Sequence, residues 1–123
     1  MTTTGKSATK NDVRPRLRIV SGRDIALGPG KVELLELLGS TGSIMEAARQ
    51  MGMSYMRAWT LIRTMNQCFK EPVIRAVRGG SKGGGARLTK TGREALALYH
   101  KMNARCLHAT KADWKRLKPL LRD

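Results

Sequence analysis

Two capped helical patterns separated by a very short turn are the feature that most constrains the fold of this chain. Ser43 begins the segment S-I-M-E, and Ser54 begins a second apolar-periodic segment directly after G-M at 52–53. A serine in this place accepts a hydrogen bond from the first helical turn, and Glu46 completes a capping box with Ser43. Gly52 suits the end of the first helix because glycine tolerates a positive φ. The sequence therefore predicts two helices joined by a tight turn.

A glycine-rich segment lies between two short strand patterns further along the chain. Residues 73–77 alternate in polarity, as do residues 86–89, and the segment between them contains G-G-S-K-G-G-G at 79–85. Glycine lets a backbone approach an anion closely because it has no β-carbon, and Lys82 lies at the centre of the segment. A disordered linker is the alternative interpretation of this composition. The loop is short and joins two strand patterns, which favours a β-hairpin.

The N-terminal third of the chain contains fewer sequence patterns that predict secondary structure. Residues 1–15 are polar and basic, which predicts a disordered arm. Residues 16–20, R-L-R-I-V, alternate like a short edge strand, and the turn-forming residues 21–30 follow. A broad apolar face then predicts a helix from Lys31 that stops at the glycines of 39–42.

The C-terminal third is predicted to be helical. Thr91 and Glu94 form a second capping box, which predicts a long helix over 92–109, and a short helix over 112–121 follows. The order strand, helix, helix, tight turn, helix, strand, loop, strand is that of a winged helix-turn-helix. We therefore predict a mainly α fold with a small β-hairpin, a winged helix-turn-helix with a long C-terminal helix.

The net charge restricts the partners. The chain has 24 basic and 9 acidic residues, which gives a formal charge of +15. This excess repels itself in a compact chain unless a polyanion neutralises it, so nucleic acid is the first candidate and an anionic membrane surface the second. No apolar run approaches the roughly 18 residues of a membrane span, and the first residues lack the apolar stretch of a signal peptide. We expect a cytoplasmic protein that binds double-stranded DNA and no membrane.

The second capped helix carries the side chains best suited to read a duplex. Its outer face combines small polar groups with two guanidinium groups, which can bind guanine edges or phosphates. From Val73 to Arg93 the chain has six basic residues and no acidic one. The predicted DNA contacts are Ser54, Tyr55, Met56, Arg57, Thr60, Arg63, Arg78, Ser81, Lys82, Arg87 and Lys90. Each of these alone is as compatible with solvated surface, and Trp59 is interpreted as the edge of the core.

The C-terminal helices carry more apolar surface than one small domain can cover. We therefore predict that they join two chains in a homodimer, with folding back onto their own core as the alternative. The predicted dimer contacts are Leu98, Tyr99, Met102, Cys106, Trp114 and Leu117. The predicted parts of the chain are the disordered arm 1–15, the winged domain 16–90 and the dimerising helices 91–123.

Three segments together resemble a known family. They are G-S-I-M-E-A-A-R-Q-M-G-M-S-Y-M-R-A-W at 42–59, M-N at 65–66, and G-G-S-K-G-G-G-A-R-L-T at 79–89 with Gly92. This series resembles the DNA-binding domain of the ModE-type molybdate-responsive regulators, and more distantly that of LysR-type regulators. The resemblance covers about residues 16–105.

The resemblance implies a winged-helix transcription regulator that dimerises through helices. By position, it places Ser54, Tyr55, Arg57, Thr60 and Arg63 on the reading helix and Lys82 in the wing. Family members sense molybdate in C-terminal domains with an S-A-R-N-like segment, which this sequence lacks. The expectation is therefore a DNA-binding unit without direct molybdate binding.

The sequence offers no constellation for catalysis or metal binding. Cys68 and Cys106 lack the spacing of metal sites and are interpreted as buried reduced thiols, and His100 and His108 as surface residues. No nucleophile and base stand at a catalytic spacing, so we predict no enzyme, no cofactor and no metal. The alternative function is a non-sequence-specific architectural protein that binds nucleic acid, RNA included, through charge alone.

Overall fold

The structure, a computed structural model, describes residues 10–77 and 85–122. The first nine residues of the arm, which is predicted to be disordered, lie outside these ranges, and so does the tip of the glycine loop. The elements are β1 Ile19–Ser21, β2 Asp24–Leu27, α1 Pro29–Thr41, α2 Ile44–Met51, α3 Tyr55–Cys68, β3 Ile74–Val77, β4 Gly85–Leu88, α4 Lys90–Ala109 and α5 Lys111–Leu117, followed by a 3₁₀ turn at Lys118–Leu120. This is a mainly α winged-helix fold, as predicted.

The helix-turn-helix is formed by α2 and α3, and its two serine caps and the end of α2 at Gly52 are as predicted. The predicted return bond from Glu46 is replaced, since the amide of Ser43 donates to the hydroxyl of Thr41 at 3.2 Å. The Ser43 hydroxyl accepts from the amide of Glu46 at 3.0 Å, and the Ser54 hydroxyl accepts from the amide of Arg57 at 3.0 Å. Gly52 ends α2 with a φ of 68°. Each serine cap satisfies an amide that has no partner inside the helix, which is worth about 1 kcal/mol.

The first helix begins two residues earlier than predicted, at Pro29, and ends within the predicted glycine range. It passes through Gly39 and is capped by Gly42, whose φ is 68°. A β-carbon on residue 39 would lie 3.3 Å from Leu88 Cδ1, so the glycine makes room for β4 against the helix. The core residues that α1 contributes are Val32, Leu34, Leu35 and Leu38.

The N-terminal strand prediction is partly wrong. The strand begins three residues later than predicted, and residues 24–27, predicted as a turn, form its antiparallel partner β2. Ala26 and Leu27 are buried, and β2 packs against α3. The apolar run I-A-L before Gly28 is too short to show the period of a strand, so β2 can be recognised only from its packing in the fold.

The N-terminal cap of α4 was also predicted wrongly. The helix begins at Lys90, and its cap is Thr89 rather than Thr91. The Thr89 hydroxyl accepts from the amide of Gly92 at 3.0 Å and donates to the carbonyl of Pro72 at 2.6 Å. Those bonds tie the start of α4 to the segment that leads into β3.

Tyr99 is a core residue and not a dimer contact, which corrects the prediction for this side chain. It is 2% exposed, and its hydroxyl donates to the carbonyl of Leu17 at 2.7 Å. The segment before β1 therefore contacts α4, and further back Asn11 donates to the carbonyl of Arg122. Residues 10–18 have neither helix nor strand.

Across the described ranges, no helix has the length and hydropathy needed to cross a bilayer.

Candidate nucleic-acid interface

Helix α3 divides into a buried and an exposed face. Ala58, Ile62 and Met65 are buried in the core. The side chains that the sequence placed on the reading face, Ser54, Tyr55, Met56, Arg57, Thr60 and Arg63, are all exposed. The large side chains on this face are also exposed, Met56 by 67% and Tyr55 by 45%. The exposed face of α3 is therefore available to a ligand.

The two arginines of this face differ in how they are held. The guanidinium carbon of Arg63 lies 5.8 Å from the centre of the Trp59 ring, a cation–π distance. Trp59 is 41% exposed, so this ring forms part of the surface and not only the edge of the core. Within the described ranges, the Arg57 side chain has neither an ion pair nor a hydrogen bond. Arg57 is thus uncommitted, whereas Arg63 is oriented by its neighbour.

Thr60 presents a methyl group and an acceptor rather than a donor. Its hydroxyl donates to the carbonyl of Met56 at 2.9 Å, one turn earlier in α3. Thr64 repeats the arrangement with the carbonyl of Thr60 at 3.1 Å. With its proton used in the helix, Thr60 is suited to an apolar contact, such as one with a thymine methyl group.

The hairpin of β3 and β4, with the loop between them, is the wing. The strands are antiparallel and pair Ile74 with Leu88 and Ala76 with Ala86. Ile74 and Ala86 are buried, so this face of the wing packs on the body of the domain. Arg87 and Lys90 are exposed, as their predicted role requires. Of the other predicted wing contacts, Arg78, Ser81 and Lys82 lie outside the described residues.

Asn66 fixes the wing to α3. Its side-chain oxygen accepts from the amides of Val73 at 2.8 Å and Ile74 at 3.2 Å, and its side-chain nitrogen donates to the carbonyl of Ile74 at 3.0 Å. One amide group thus bonds to β3 much as a neighbouring strand would. No local pattern in the sequence assigns Asn66 a role, although it belongs to the M-N pair of the family resemblance.

A second attachment joins the wing to the turn between α1 and α2. The amide of Ala86 donates to the carbonyl of Gly42 at 3.1 Å. A β-carbon on Gly85 would lie 2.4 Å from that same carbonyl oxygen, so only glycine permits the approach. The two strands of the wing are therefore each bonded to the helical body.

The wing and α3 border a common cleft. Its volume is about 270 Å³, and it opens to solvent. Its lining comes from α2, α3 and both wing strands: Ile44, Trp59, Ile62, Arg63, Asn66, Gln67, Ile74, Ala76 and Ala86. The helix and hairpin that the sequence predicted to act together are thus neighbours, with Trp59 and Arg63 between them.

Helix α2 adds no free cation at its C-terminal end. The carboxylate of Glu46 accepts from the guanidinium of Arg49 and from the amide of Gln50. The hydrogen bond and the charge of Glu46 raise the pKa of Arg49 above its usual value. In the described part of the chain, no three His, Cys, Asp or Glu residues lie close enough to hold a metal ion.

The predicted dimer residues, apart from Tyr99, lie on the surface or at its edge. Leu98 and Met102 are exposed one turn apart on α4, and Leu117 is exposed on α5. Cys106 and Trp114 are half-buried. Leu120 and Leu121 extend the exposed apolar surface beyond α5. The structure thus leaves much of the C-terminal helical surface apolar and uncovered by its own chain.

Known proteins are similar in sequence to part of this chain. The chain is 44% identical over 78 residues to the molybdenum-pterin-binding protein MopB of Rhodobacter capsulatus. It is 43% identical over 74 residues to the molybdenum transport protein ModE of Azotobacter vinelandii, and 38% over 71 residues to the DNA-binding transcriptional dual regulator ModE of Escherichia coli K12. The chain is a homologue of the ModE-type proteins. The resemblance found in the sequence is confirmed.

The similarity to ModE-type proteins is limited to one part of each relative. It covers 58–63% of this chain but only 27–29% of the relatives' length. No protein-family profile matches the chain. The names of the ModE-type relatives describe regulators and molybdenum-binding or transport proteins rather than enzymes.

Proposed function

We propose that this chain is a sequence-specific DNA-binding transcriptional regulator of the ModE winged-helix type, which binds duplex DNA as a homodimer. The observation that carries the proposal is the exposed face of α3, with an uncommitted Arg57, beside a wing held in place by Asn66. A helix of this kind enters the major groove while the wing follows the phosphate backbone. The ModE of Escherichia coli K12, which is named a DNA-binding regulator, supports the same function.

The proposal for this chain concerns DNA binding alone. The names of several relatives refer to molybdenum, but the similarity covers less than a third of those proteins. A non-sequence-specific architectural role is the rival function, and the charge of +15 favours it as much as it favours a regulator. The ratio of affinities for a preferred and a random duplex separates the two, since regulators prefer their sites by roughly a thousandfold or more.

Replacing Arg57 and Lys82 is expected to have different consequences. Arg57→Ala should lose about 1–3 kcal/mol of discrimination at one base pair of the preferred site, because it removes a base-edge contact. Lys82→Ala should weaken binding to every duplex by a similar factor, because a phosphate contact carries no base information. The measurement is selection of a preferred duplex from a random pool with the full chain, followed by titration of single-base variants of that duplex.

Two outcomes would contradict the assignment of α3 as the reading helix. One is the same loss for both variants at every base position. The other is an absence of any preferred duplex for the unaltered protein, which would favour the architectural role instead. Met45→Ala, on the exposed surface of α2, is the control for removal of an exposed side chain from the same motif.

The homodimer is proposed from the exposed apolar surface of the C-terminal helices. In a single chain, a substantial apolar area is exposed to water at Leu98, Met102 and Leu117. Burial of such area against a second copy removes it from water at about 25 cal/mol per Å². A palindromic duplex then matches the two-fold axis of the dimer.

Light scattering of the full chain at micromolar concentration should give about twice the protomer mass of 13.6 kDa. Met102→Asp should shift the population to the protomer and leave the thermal unfolding of the winged domain nearly unchanged, because the side chain is already exposed. Val20→Asp replaces an apolar residue of β1 that is 64% exposed, against 45% for Met102, and serves as the control. A single species of 13.6 kDa for the unaltered chain would exclude the dimer.

A further inference from the structure

Two arginines face each other across the wing. The strand register pairs Arg75 of β3 directly with Arg87 of β4, and both side chains are exposed. Residues directly opposite in an antiparallel pair point to the same face, with β-carbons about 4.5–5.5 Å apart. Like charges in this arrangement are destabilising. The protein therefore holds an unfavourable pair of charges on the outer face of the wing.

The described part of the chain does not neutralise this pair. Its ion pairs involve other residues, Arg14 with Asp12, Arg49 with Glu46, and His100 with Glu36. The residues that follow β4 add further positive charge, since Lys90 is exposed and Arg93 donates to the carbonyl of Leu88 at 3.1 Å. Among the described residues no carboxylate pairs with either arginine, so an anion bound between the two guanidinium groups would relieve the repulsion.

The wing cannot relieve the repulsion by separating its strands. Asn66 is bonded to both the amide and the carbonyl of Ile74, which precedes Arg75. On the other strand, the amide of Ala86, which precedes Arg87, is bonded to the carbonyl of Gly42. Each arginine thus follows a residue whose backbone is anchored to the helical body. The backbones of the pair are held in register while the side chains remain free to move.

We propose that Arg75 and Arg87 form a clamp for one backbone phosphate of duplex DNA. Guanidinium groups bind phosphate oxygens in paired, charge-assisted hydrogen bonds, and one phosphate between the two groups turns their repulsion into attraction. The clamp lies on the outer face of the wing, since the inner face carries the buried Ile74 and Ala86. The inference rests on the proposed DNA-binding function and extends it to Arg75, whose partner only the register reveals.

The test compares stability and DNA binding for Arg75→Gln, Arg87→Gln and the double variant. Either single change should raise the melting temperature of the free protein by roughly 1–5 °C, and the double change should add little more, because one substitution already removes the repulsion. Either single change should lower affinity for both a selected and a random duplex by roughly tenfold. The slope of log affinity against log salt should stay nearly unchanged in either single variant, because the remaining arginine still neutralises the phosphate, and should fall by about 0.9 only in the double variant.

The double variant should lose about 0.9 in the salt slope once and not twice, because both arginines hold the same phosphate. Arg23→Gln is the matched control, since it removes the same charge from the exposed turn of the β1–β2 hairpin. It should alter neither the salt slope nor the melting temperature to this extent. Additive losses of about 0.9 per arginine in the salt slope would overturn the single-phosphate clamp.

An unchanged affinity for both duplexes in Arg75→Gln would also overturn the clamp, as would a lowered melting temperature. Failure of the unaltered protein to bind duplex DNA would instead contradict the proposed function from which the clamp follows. Retention of the preferred base sequence in every variant is expected, because a phosphate contact carries no base information. A changed base preference in Arg75→Gln would assign that residue to base reading and overturn the inference.

Discussion

Gly92→Ala is expected to destabilise the fold by at least about 2 kcal/mol, although it lies in a helix where alanine is intrinsically favoured. A β-carbon on residue 92 would lie 2.1 Å from the carbonyl oxygen of Val73 and 3.0 Å from its carbonyl carbon. Both are backbone atoms, and the same oxygen accepts from the amide of Thr89 at 3.0 Å. The helix would have to move away from β3, at a cost that exceeds the roughly 1 kcal/mol gained in helix propensity.

The measurement is equilibrium unfolding by denaturant and by heat, where the loss corresponds to a melting temperature lower by roughly 10 °C. Gly30→Ala is the matched control because residue 30 is also in the first turn of a helix and has no atom within 4 Å of an added β-carbon. That control should be neutral or stabilising by up to about 1 kcal/mol. Equal stability of the two variants would show that α4 does not approach Val73 as closely as described.

The helix-turn-helix could be predicted from the sequence because its determinants are local. The hydroxyl groups of Ser43 and Ser54 cap helices within three residues of themselves, and Gly52 ends α2 by its own backbone conformation. Hydrophobic periodicity then sets which side of α3 faces the core. No contact with a distant part of the chain is needed to infer these features.

The cap of α4 shows where local patterns fail. Thr91 and Glu94 match the spacing of a capping box, yet Thr89 is the cap. Thr89 is held by bonds to Pro72 and Val73, which are distant in sequence. The pattern cannot distinguish two threonines that are two residues apart when tertiary bonds decide between them.

The candidate site was only partly predictable for the same reason. Charge alone identified Arg75 as basic, but its position opposite Arg87 depends on the register of the wing. Asn66 acts through backbone groups seven and eight residues away, and no periodic pattern assigns such a bond. Tyr99 fits the apolar stripe of α4 and was therefore grouped with the dimer residues, although Leu17 covers it within the protomer.

The affinity of the protein for duplex DNA is expected to depend steeply on salt. Besides the base-reading Arg57, each protomer carries six cations on the proposed interface, namely Arg63, Arg75, Arg78, Lys82, Arg87 and Lys90. If Arg75 and Arg87 share one phosphate, these cations neutralise up to five phosphates, and the slope of log affinity against log salt is roughly −4.5 per protomer. Affinity should then fall by about three orders of magnitude between 50 and 200 mM salt.

The same slope reports the number of protomers in the complex. Two protomers on one duplex neutralise twice as many phosphates and release twice as many counterions, so a homodimer should approach a slope of roughly −9. The measurement is a titration of a fluorescent duplex with the full chain at several salt concentrations. Met102→Asp should return the slope to the protomer value if its dimer contact is lost, whereas Val20→Asp should not. A slope shallower than about −2 for the unaltered protein would contradict the interface, because the proposed phosphate contacts of the wing alone predict a steeper slope.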